Sequence, residues 1–296
     1  DGADGADGAD GADGADGADG ADGSTDAAQT DSGDSEPNTG AANEGPSGVD
    51  LAEYQLIFSD EFNGSSIDAT KWNTQYVWGP ELVINGEQQH YVDVQNDAAI
   101  GYNPFTLNGE YVTIEAIETP AEVNAAAGGQ PYLSGVLTTA GKFDMTYGYI
   151  EMRARLPQGS GTWPALWMLS SEFIDLKPQM FIMEHDGGRP TSVFHNYNYH
   201  DEDGNLRSPG QREVLVDGIE DGFHNYAVSW DEQELLFFVD GTPTFRIIGE
   251  NVSRQAMYLI VNLAIGGLWP GEPGNDTTYP VQYSIDYIRA YQRIGG

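Results

Sequence analysis

The chain has 296 residues, with 47 acidic and 12 basic side chains and a formal net charge of -35. A surface this acidic repels nucleic acid phosphates and anionic membranes, so neither is expected as a partner, and it suits a salty environment that screens self-repulsion. There is no cysteine, which excludes disulfides and thiolate metal sites. No apolar run approaches the roughly 18 residues of a membrane span, so no membrane insertion is expected.

The first 50 residues predict a disordered acidic tail or linker. Residues 1–23 repeat Asp-Gly-Ala, and residues 1–50 contain 14 Asp or Glu and no Lys or Arg. Glycine at every third position is also typical of collagen, although the repeat has no proline, and regularly spaced Asp could bind calcium weakly. A solvated spacer is favoured because the segment has too little apolar surface to fold. With neither an initiator Met nor a signal-like segment, the chain is expected to be a processed form.

Residues 51–296 predict one large all-β domain. Residues 149–156 alternate polar and apolar side chains, as a half-buried strand does. Asp240-Gly241 after an apolar run predicts a hairpin, and residues 283–291 predict a final strand with an aromatic face. No long stretch has helical periodicity, which favours two stacked antiparallel sheets.

Several motifs in this domain resemble one enzyme family in order and spacing. They are FSDEFNG (58–64), NGEQQHY (85–91), YGYIE (147–151), RLP (155–157), GTWPALWML (161–169), FHNYAVSW (223–230), NLAIGGLWPG (262–271) and DYIR (286–289). Together they resemble glycoside hydrolase family 16, and most closely its laminarinase (endo-β-1,3-glucanase) branch. The resemblance implies a concanavalin A-like β-jelly roll whose concave sheet forms a cleft for a β-glucan chain. Related branches cut mixed-linkage glucan or algal galactans, so the sugar stays open.

The family's catalytic strand reads Glu-x-Asp-x-x-Glu, and this chain departs from it at two positions. Glu184 matches the acid/base, whereas Gln179 stands at the nucleophile position and Phe181 at the central Asp. A bulge between residues 181 and 184 would bring all three onto one face. A retaining glycosidase needs two carboxyl groups about 5–5.5 Å apart, and Gln179 cannot form the glycosyl ester. An aromatic neighbour should raise the pKa of Glu184.

Two alternatives bear on this gap. Asp186 lies about 6.6 Å along the strand from Glu184, within the range of about 6.5–9.5 Å for inverting enzymes, although its position suits a cap for the turn at Gly187-Gly188 equally. Glu-to-Gln is also a common laboratory substitution. Phe is not a conservative replacement for Asp, however. The loss of two motif carboxylates on one strand therefore favours a cleft that binds glucan without hydrolysing it.

Other side chains are predicted to line the cleft. Trp163 and Trp167 share a strand face and could lie against sugar rings, with core packing the alternative for one of them. The resemblance places Asn85, Glu87 and His195 at the ligand, and Trp269 could flank it after the turn at Gly266-Gly267. Arg153 is a further candidate, with an ion pair to Glu151 as the alternative.

No cofactor is expected for catalysis, because the histidines have no common metal-ligand spacing. The resemblance implies a structural calcium ion at Glu61, Gly109 and Asp286, with a plain surface role for Asp286 as the alternative.

Three functions follow in order. The first is a β-glucan-recognising protein, monomeric and exported or displayed at the cell surface, whose double-displacement hydrolysis is lost or vestigial. The second is an active endo-β-1,3-glucanase with a substitute carboxylate, and the third is a structural or adhesive exoprotein. Whether the chain is an enzyme stays open at this point.

Overall fold

The structure is a computed structural model that describes residues 49–80, 83–172, 177–201, 203–208, 210–219, 221–249 and 252–295. The predicted acidic tail lies outside the described residues, apart from its last two positions, and its disorder stays a prediction. No helix in the described part of the chain is long and apolar enough to cross a membrane.

A short 3-10 helix (Leu51–Glu53) precedes seventeen strands in the described residues. The strands are β1 (Tyr54–Asp60), β2 (Gln89–Tyr91), β3 (Phe105–Leu107), β4 (Val112–Glu118), β5 (Tyr132–Ser134), β6 (Val136–Thr138), β7 (Gly148–Arg155), β8 (Thr162–Ser170), β9 (Gln179–His185), β10 (Ser192–His200), β11 (Leu206–Arg207), β12 (Arg212–Leu215), β13 (His224–Trp230), β14 (Glu234–Val239), β15 (Thr242–Ile248), β16 (Met257–Ile265) and β17 (Val281–Arg293).

The strands form two sheets. The ten-stranded sheet runs β15-β14-β13-β7-β17-β4-β5-β2, with β1 on β17 and β3 on β4. The seven-stranded sheet runs β11-β10-β9-β8-β16-β6, with β12 on β10. The predicted two-sheet, all-β architecture is confirmed. One detail differs, since β2 and β5 pair in parallel.

The main core lies between the sheets, and a second apolar cluster covers part of the outer face of the seven-stranded sheet. Strand β16 shows why its sequence is a continuous apolar run, because every residue of Met257–Ile265 is buried. Leu259 and Val261 belong to the main core, whereas Ile260 belongs to the outer cluster with Trp167 and Tyr76. The centre of this sheet is therefore covered on both faces.

The predicted local elements are found. The alternating segment forms β7, and the final predicted strand lies within β17. Asp240 and Gly241 join β14 to β15 with φ angles of 48° and 72°. Two positive φ angles are what a tight hairpin turn requires, and Asp-Gly tolerates them well.

Candidate functional site

An open cavity of about 550 Å³ lies on the outer face of the seven-stranded sheet. Its floor is formed by strands β8, β9, β10 and β16. Part of its rim is formed by the two loops that contain Asn85 and Trp269. A smaller cavity of about 250 Å³ shares Tyr76, Ile84 and Glu87 with it. The site is thus a polar and aromatic depression on the outer face of a sheet whose inner face covers the main core.

The predicted bulge in β9 is present and brings the motif positions together. Strand β8 pairs Trp167 with Phe181 and Ala165 with Glu184, so its register shifts by one residue across this segment of β9. Gln179, Phe181 and Glu184 all line the cavity as a result. The local geometry of the catalytic motif is kept although two of its side chains differ.

Glu184 is placed as a buried proton donor. Its residue is 4% exposed, and Oε1 accepts a hydrogen bond of 3.2 Å from Trp163 Nε1. Burial raises the pKa of Glu184 to about 8, against smaller lowering effects of hydrogen bonds from Trp163 and Gln211. At neutral pH the carboxyl group is therefore mostly protonated, as a general acid must be.

Gln179 lies at the other end of the motif among donors. Its Oε1 accepts a hydrogen bond from Lys177 Nζ and a longer one of 3.4 Å from Asn198 Nδ2. Burial lowers the pKa of Lys177. An amide with its oxygen held in this way has no anionic atom with which to attack an anomeric carbon.

Phe181 packs on an aromatic neighbour. Its ring stacks on Trp167 with centroids 5.4 Å apart and an interplanar angle of 12°. Trp167 is itself buried and donates a 2.8 Å hydrogen bond from Nε1 to Asn262 Oδ1. The central position of the motif thus contributes apolar surface where a proton-sharing carboxylate is expected.

Trp163 and Trp269 form the aromatic wall beside Glu184, with ring centroids 5.1 Å apart. Other parts of the chain approach the double glycine before Trp269 closely. A Cβ on Gly266 would lie 2.7 Å from Gln88 Cδ, and one on Gly267 would lie 3.2 Å from the Asn85 carbonyl oxygen.

Asn85 and Glu87 also line the cavity. Asn85 has a φ of 55°, and its Nδ2 donates to Glu87 Oε1 at 3.1 Å. Gln89 and Tyr91 donate to the other oxygen of Glu87 at 2.7 Å and 3.3 Å. Burial raises the pKa of Glu87, which these three donors oppose. Glu87 and Glu184 are the carboxylates that the described residues bring to this cavity.

Two predicted ligand-binding residues are not brought to the cavity. Strand β10 alternates regularly, and His195 shares its inner face with the core residues Val193 and Tyr197. Its ring nitrogens lie 2.6 Å from the Ile182 carbonyl oxygen and 2.9 Å from Thr244 Oγ1, between the sheets. Burial lowers the pKa of His195 to about 4. His195 is thus a neutral core residue, and its assignment to the ligand is corrected.

Arg153 is the second correction. It lies on β7 of the ten-stranded sheet, where it forms an ion pair with Asp286 and stacks over the ring of Phe223 at 5.1 Å. The alternation of β7 buries Ile150, Met152 and Ala154 in the main core and turns Arg153 to the opposite face. It is therefore remote from the cavity, and its partner is Asp286 rather than Glu151.

Asp186 caps a turn. Its Oδ1 accepts a 3.0 Å hydrogen bond from the Gly188 amide, and its Oδ2 accepts one of 2.8 Å from Arg189 Nε. Both oxygens are engaged, which agrees with the turn-capping alternative. The geometry gives no support to Asp186 as a second catalytic carboxylate.

The predicted calcium ligands do not fit a calcium ion as they stand. Glu61 accepts two hydrogen bonds from Arg289, at 2.9 Å and 2.7 Å, and Asp286 is paired with Arg153. Among the described residues no group of three or more His, Asp or Glu could hold a metal. Gly109 has a φ of 91° in the turn before β4. Calcium binding would require both ion pairs to open, and it stays a prediction.

The sequence analysis missed several residues of the site. Lys177, Asn196, Asn198, Gln211 and Asn262 all line the cavity. Lys177 carried no strand-parity signal, because β9 begins at Gln179 and Lys177 precedes it. The two asparagines of β10 lie on the face opposite His195, so the assignment of His195 to the ligand pointed to the wrong face of this strand.

The comparisons with known proteins agree with this geometry. The family description "Glycosyl hydrolases family 16" matches residues 71–289, and the chain belongs to this family. Endo-1,3-1,4-beta-glycanase ExsH of Rhizobium meliloti (strain 1021) is 34% identical over 250 residues, covering 82% of this chain and 53% of that protein. The chain therefore spans about half the length of this relative.

Two further relatives are covered over most of their length. Beta-glucanase of Rhodothermus marinus is 34% identical over 266 residues, covering 81% of this chain and 86% of that protein. The solved structure of SCLam, described as a non-specific endo-beta-1,3(4)-glucanase, superposes with a TM-score of 0.70 at 28% identity, covering 82% of this chain and 92% of that one. The two-sheet sandwich is thus the jelly roll of this family.

Proposed function

We propose that this family 16 protein recognises β-glucan, of the laminarin type, in the cavity on its seven-stranded sheet, and that hydrolysis by double displacement is lost or vestigial. The observation that carries the proposal is Gln179 at the nucleophile position, with its amide oxygen bound by Lys177 and Asn198. Relatives named or described as β-glucanases support the ligand class.

The loss of turnover follows from the chemistry of the pair. In the retaining mechanism one carboxylate attacks the anomeric carbon while the other protonates the leaving oxygen. Glu184, buried and protonated at neutral pH, suits the second role. Gln179 supplies no nucleophile, and loss of a nucleophile in another hydrolase costs on the order of 10⁶ in turnover.

Retention of binding rests on the rest of the cavity. Trp163 and Trp269 present aromatic surface, and Asn85, Asn196 and Asn262 present amides that can pair with hydroxyl groups. Phe181 extends the aromatic floor next to Trp167. A sugar chain could therefore be held by stacking and hydrogen bonds without being cut.

The alternative is an active endo-β-1,3-glucanase with a substitute carboxylate. Asp186 is engaged in its turn, which leaves Glu87 as the other carboxylate that the described residues bring to the cavity. Three hydrogen-bond donors hold Glu87, as they would hold a side chain that binds rather than attacks. Turnover abolished by E87Q would favour this alternative.

The test is reducing-end release from laminarin by the full chain, run beside the double revertant Q179E/F181D. We expect no detectable release of reducing ends by the wild type and measurable release by the revertant. The matched control is Q179E/F181D/E184Q, which restores the nucleophile but removes the acid and should lose about 10²–10⁴ of the revertant's rate. Laminarin binding by calorimetry, measured on the wild type, separates the proposal from a purely adhesive or structural protein.

Each outcome has a consequence. Turnover by the wild type at a rate near the revertant's contradicts the binding-protein proposal. If the revertant releases no reducing ends although its melting curve shows that it is folded, an intact β-1,3-glucan cleft is contradicted. The assay would then be repeated with mixed-linkage glucan and galactans.

We further propose that the protein is exported or displayed at the cell surface and acts as a monomer, with its acidic repeat as a spacer. The support is the acidic composition of the repeat, 14 Asp or Glu in residues 1–50, together with a polymeric ligand.

A further inference from the structure

The cavity contains a cation that the family motif does not explain. Lys177 is one of only three lysines in a chain of net charge -35. It lines the cavity beside Gln179 and Asn198. Burial lowers its pKa, and no carboxylate among the described residues opposes this effect or forms an ion pair with it. By contrast, Lys71 lies 3.9 Å from Asp60 Oδ1 and 4.0 Å from Asp68 Oδ2.

A partly buried ammonium group without a counter-ion is unfavourable. It loses hydration, and a neutral amide oxygen returns only part of that loss. An anionic group on a bound ligand would offset the hydration energy that the ammonium group has lost. Hydrogen bonds to charged partners are also shorter and stronger than neutral ones.

The orientation of the Gln179 amide also favours an anionic ligand. Its Oε1 accepts from both Lys177 Nζ and Asn198 Nδ2, and this fixes which end of the amide is the oxygen. The NH₂ end therefore faces away from Lys177 and offers two donors to an occupant of the cavity. Donors thus converge at a place where a hydrolase of this family would present a carboxylate.

The charge states of the other side chains near the Gln179 end of the cavity also favour an anionic ligand. Phe181 carries none, and Glu184 is mostly neutral at pH 7 because burial raises its pKa to about 8. The remaining carboxylate of the described lining, Glu87, is enclosed by its own three donors. The Gln179 end of the cavity is therefore locally cationic on an otherwise strongly acidic protein.

We propose that the glucan recognised by this cavity carries an acidic substituent, a sulfate ester or a carboxylate, which binds Lys177 Nζ and the Gln179 amide N–H groups. This inference rests on the proposed function, since it names the substrate class of the same cleft. A neutral glucan offers only hydroxyl groups and would leave the ammonium group without a counter-ion. An acidic substituent pairs with it and with the amide together.

The test is calorimetric titration of the full chain with three ligands at one fixed salt concentration: laminarin, sulfated laminarin and carboxymethylated laminarin. We expect at least one acidic ligand to bind about tenfold more tightly than laminarin, the gain of one charge-assisted contact. K177M should abolish that preference, read as the ratio of the acidic-ligand affinity to the laminarin affinity of the same variant, whereas K177R should retain it. The sulfated and carboxymethylated arms decide which acidic group is preferred.

K71M is the matched control, because it changes the net charge by the same amount and Lys71 does not line the cavity. It should keep the preference for the acidic ligand. Equal affinity for all three ligands, or a preference that survives in K177M, would overturn the inference while leaving β-glucan recognition intact. Failure to bind any of the three would contradict both this inference and the proposed function.

Discussion

The two ends of the catalytic strand differ in what they retain. At one end Glu184 is buried, protonated and hydrogen-bonded by Trp163, as an acid/base should be. At the other end Gln179 is neutral and held by Lys177. The same bulge serves both ends, so the backbone that positions a catalytic motif persists after its charge distribution has changed. Geometry and reactivity are separable here, and each end can be tested alone.

The largest expected effect comes from reverting the two positions one at a time. Q179E alone should recover turnover on laminarin, because the restored carboxylate is the nucleophile and Lys177 would keep it ionised. F181D alone should stay silent for want of a nucleophile, at least about 10³-fold below the double revertant. Initial rates of reducing-end release measure both. An active F181D would show that the missing nucleophile is not what silences the chain.

The second effect concerns Glu184 and the pH dependence of stability. Its folded pKa, about 8, lies above its ordinary value of 4.5, so the native state holds more protons than the unfolded state between these values. Stability therefore falls as the pH rises from about 4.5 through about 8. E184Q should remove this loss and be more stable than the wild type at pH 9, by on the order of 3 kcal/mol.

Urea unfolding of both proteins at pH 5 and pH 9 measures this effect. E87Q is the companion variant, because Glu87 also has a raised pKa but with three donors that stabilise its charge. Parallel pH dependence in wild type and E184Q would contradict the assignment of Glu184 as a buried neutral acid.

The fold and most of strand β9 could be predicted from the sequence by local rules. Alternation predicted β7 and β17, Asp-Gly predicted the hairpin, and motif spacing predicted the bulge in β9. Each of these depends on residues close in sequence. The position of Trp163, Trp269 and Glu184 around one cavity followed from the family resemblance rather than from periodicity.

The two errors have different causes, because His195 follows local alternation whereas the partner of Arg153 is distant in sequence. His195 points inward with Val193 and Tyr197 by simple alternation along β10, a local signal that the family resemblance outweighed. Arg153 finds Asp286 on β17, far along the chain, in place of nearby Glu151. Lys177 precedes β9, so strand parity predicts neither its position nor its hydrogen bond to Gln179.

A third, smaller effect tests the aromatic floor. F181A removes the ring that stacks on Trp167, and it should lower laminarin affinity about fivefold and stability by about 1–2 kcal/mol. F181L is the matched control, because it keeps much of the apolar volume but not the flat face. It should retain most of the stability and show the loss of affinity. Equal affinity of wild type and both variants would exclude Phe181 from the ligand.

The smallest effect is expected at Arg153, on the other sheet. R153M should leave laminarin affinity unchanged and lower stability by about 0.5–1 kcal/mol, since its pair with Asp286 is partly exposed. D286N breaks the same pair from the other side, so without calcium the two variants should match in urea unfolding. Calcium at Glu61, Gly109 and Asp286 would change this, because it would stabilise the wild type and R153M but not D286N. Equal responses of both variants to added calcium would therefore contradict the predicted ion and leave Asp286 as the partner of Arg153 alone.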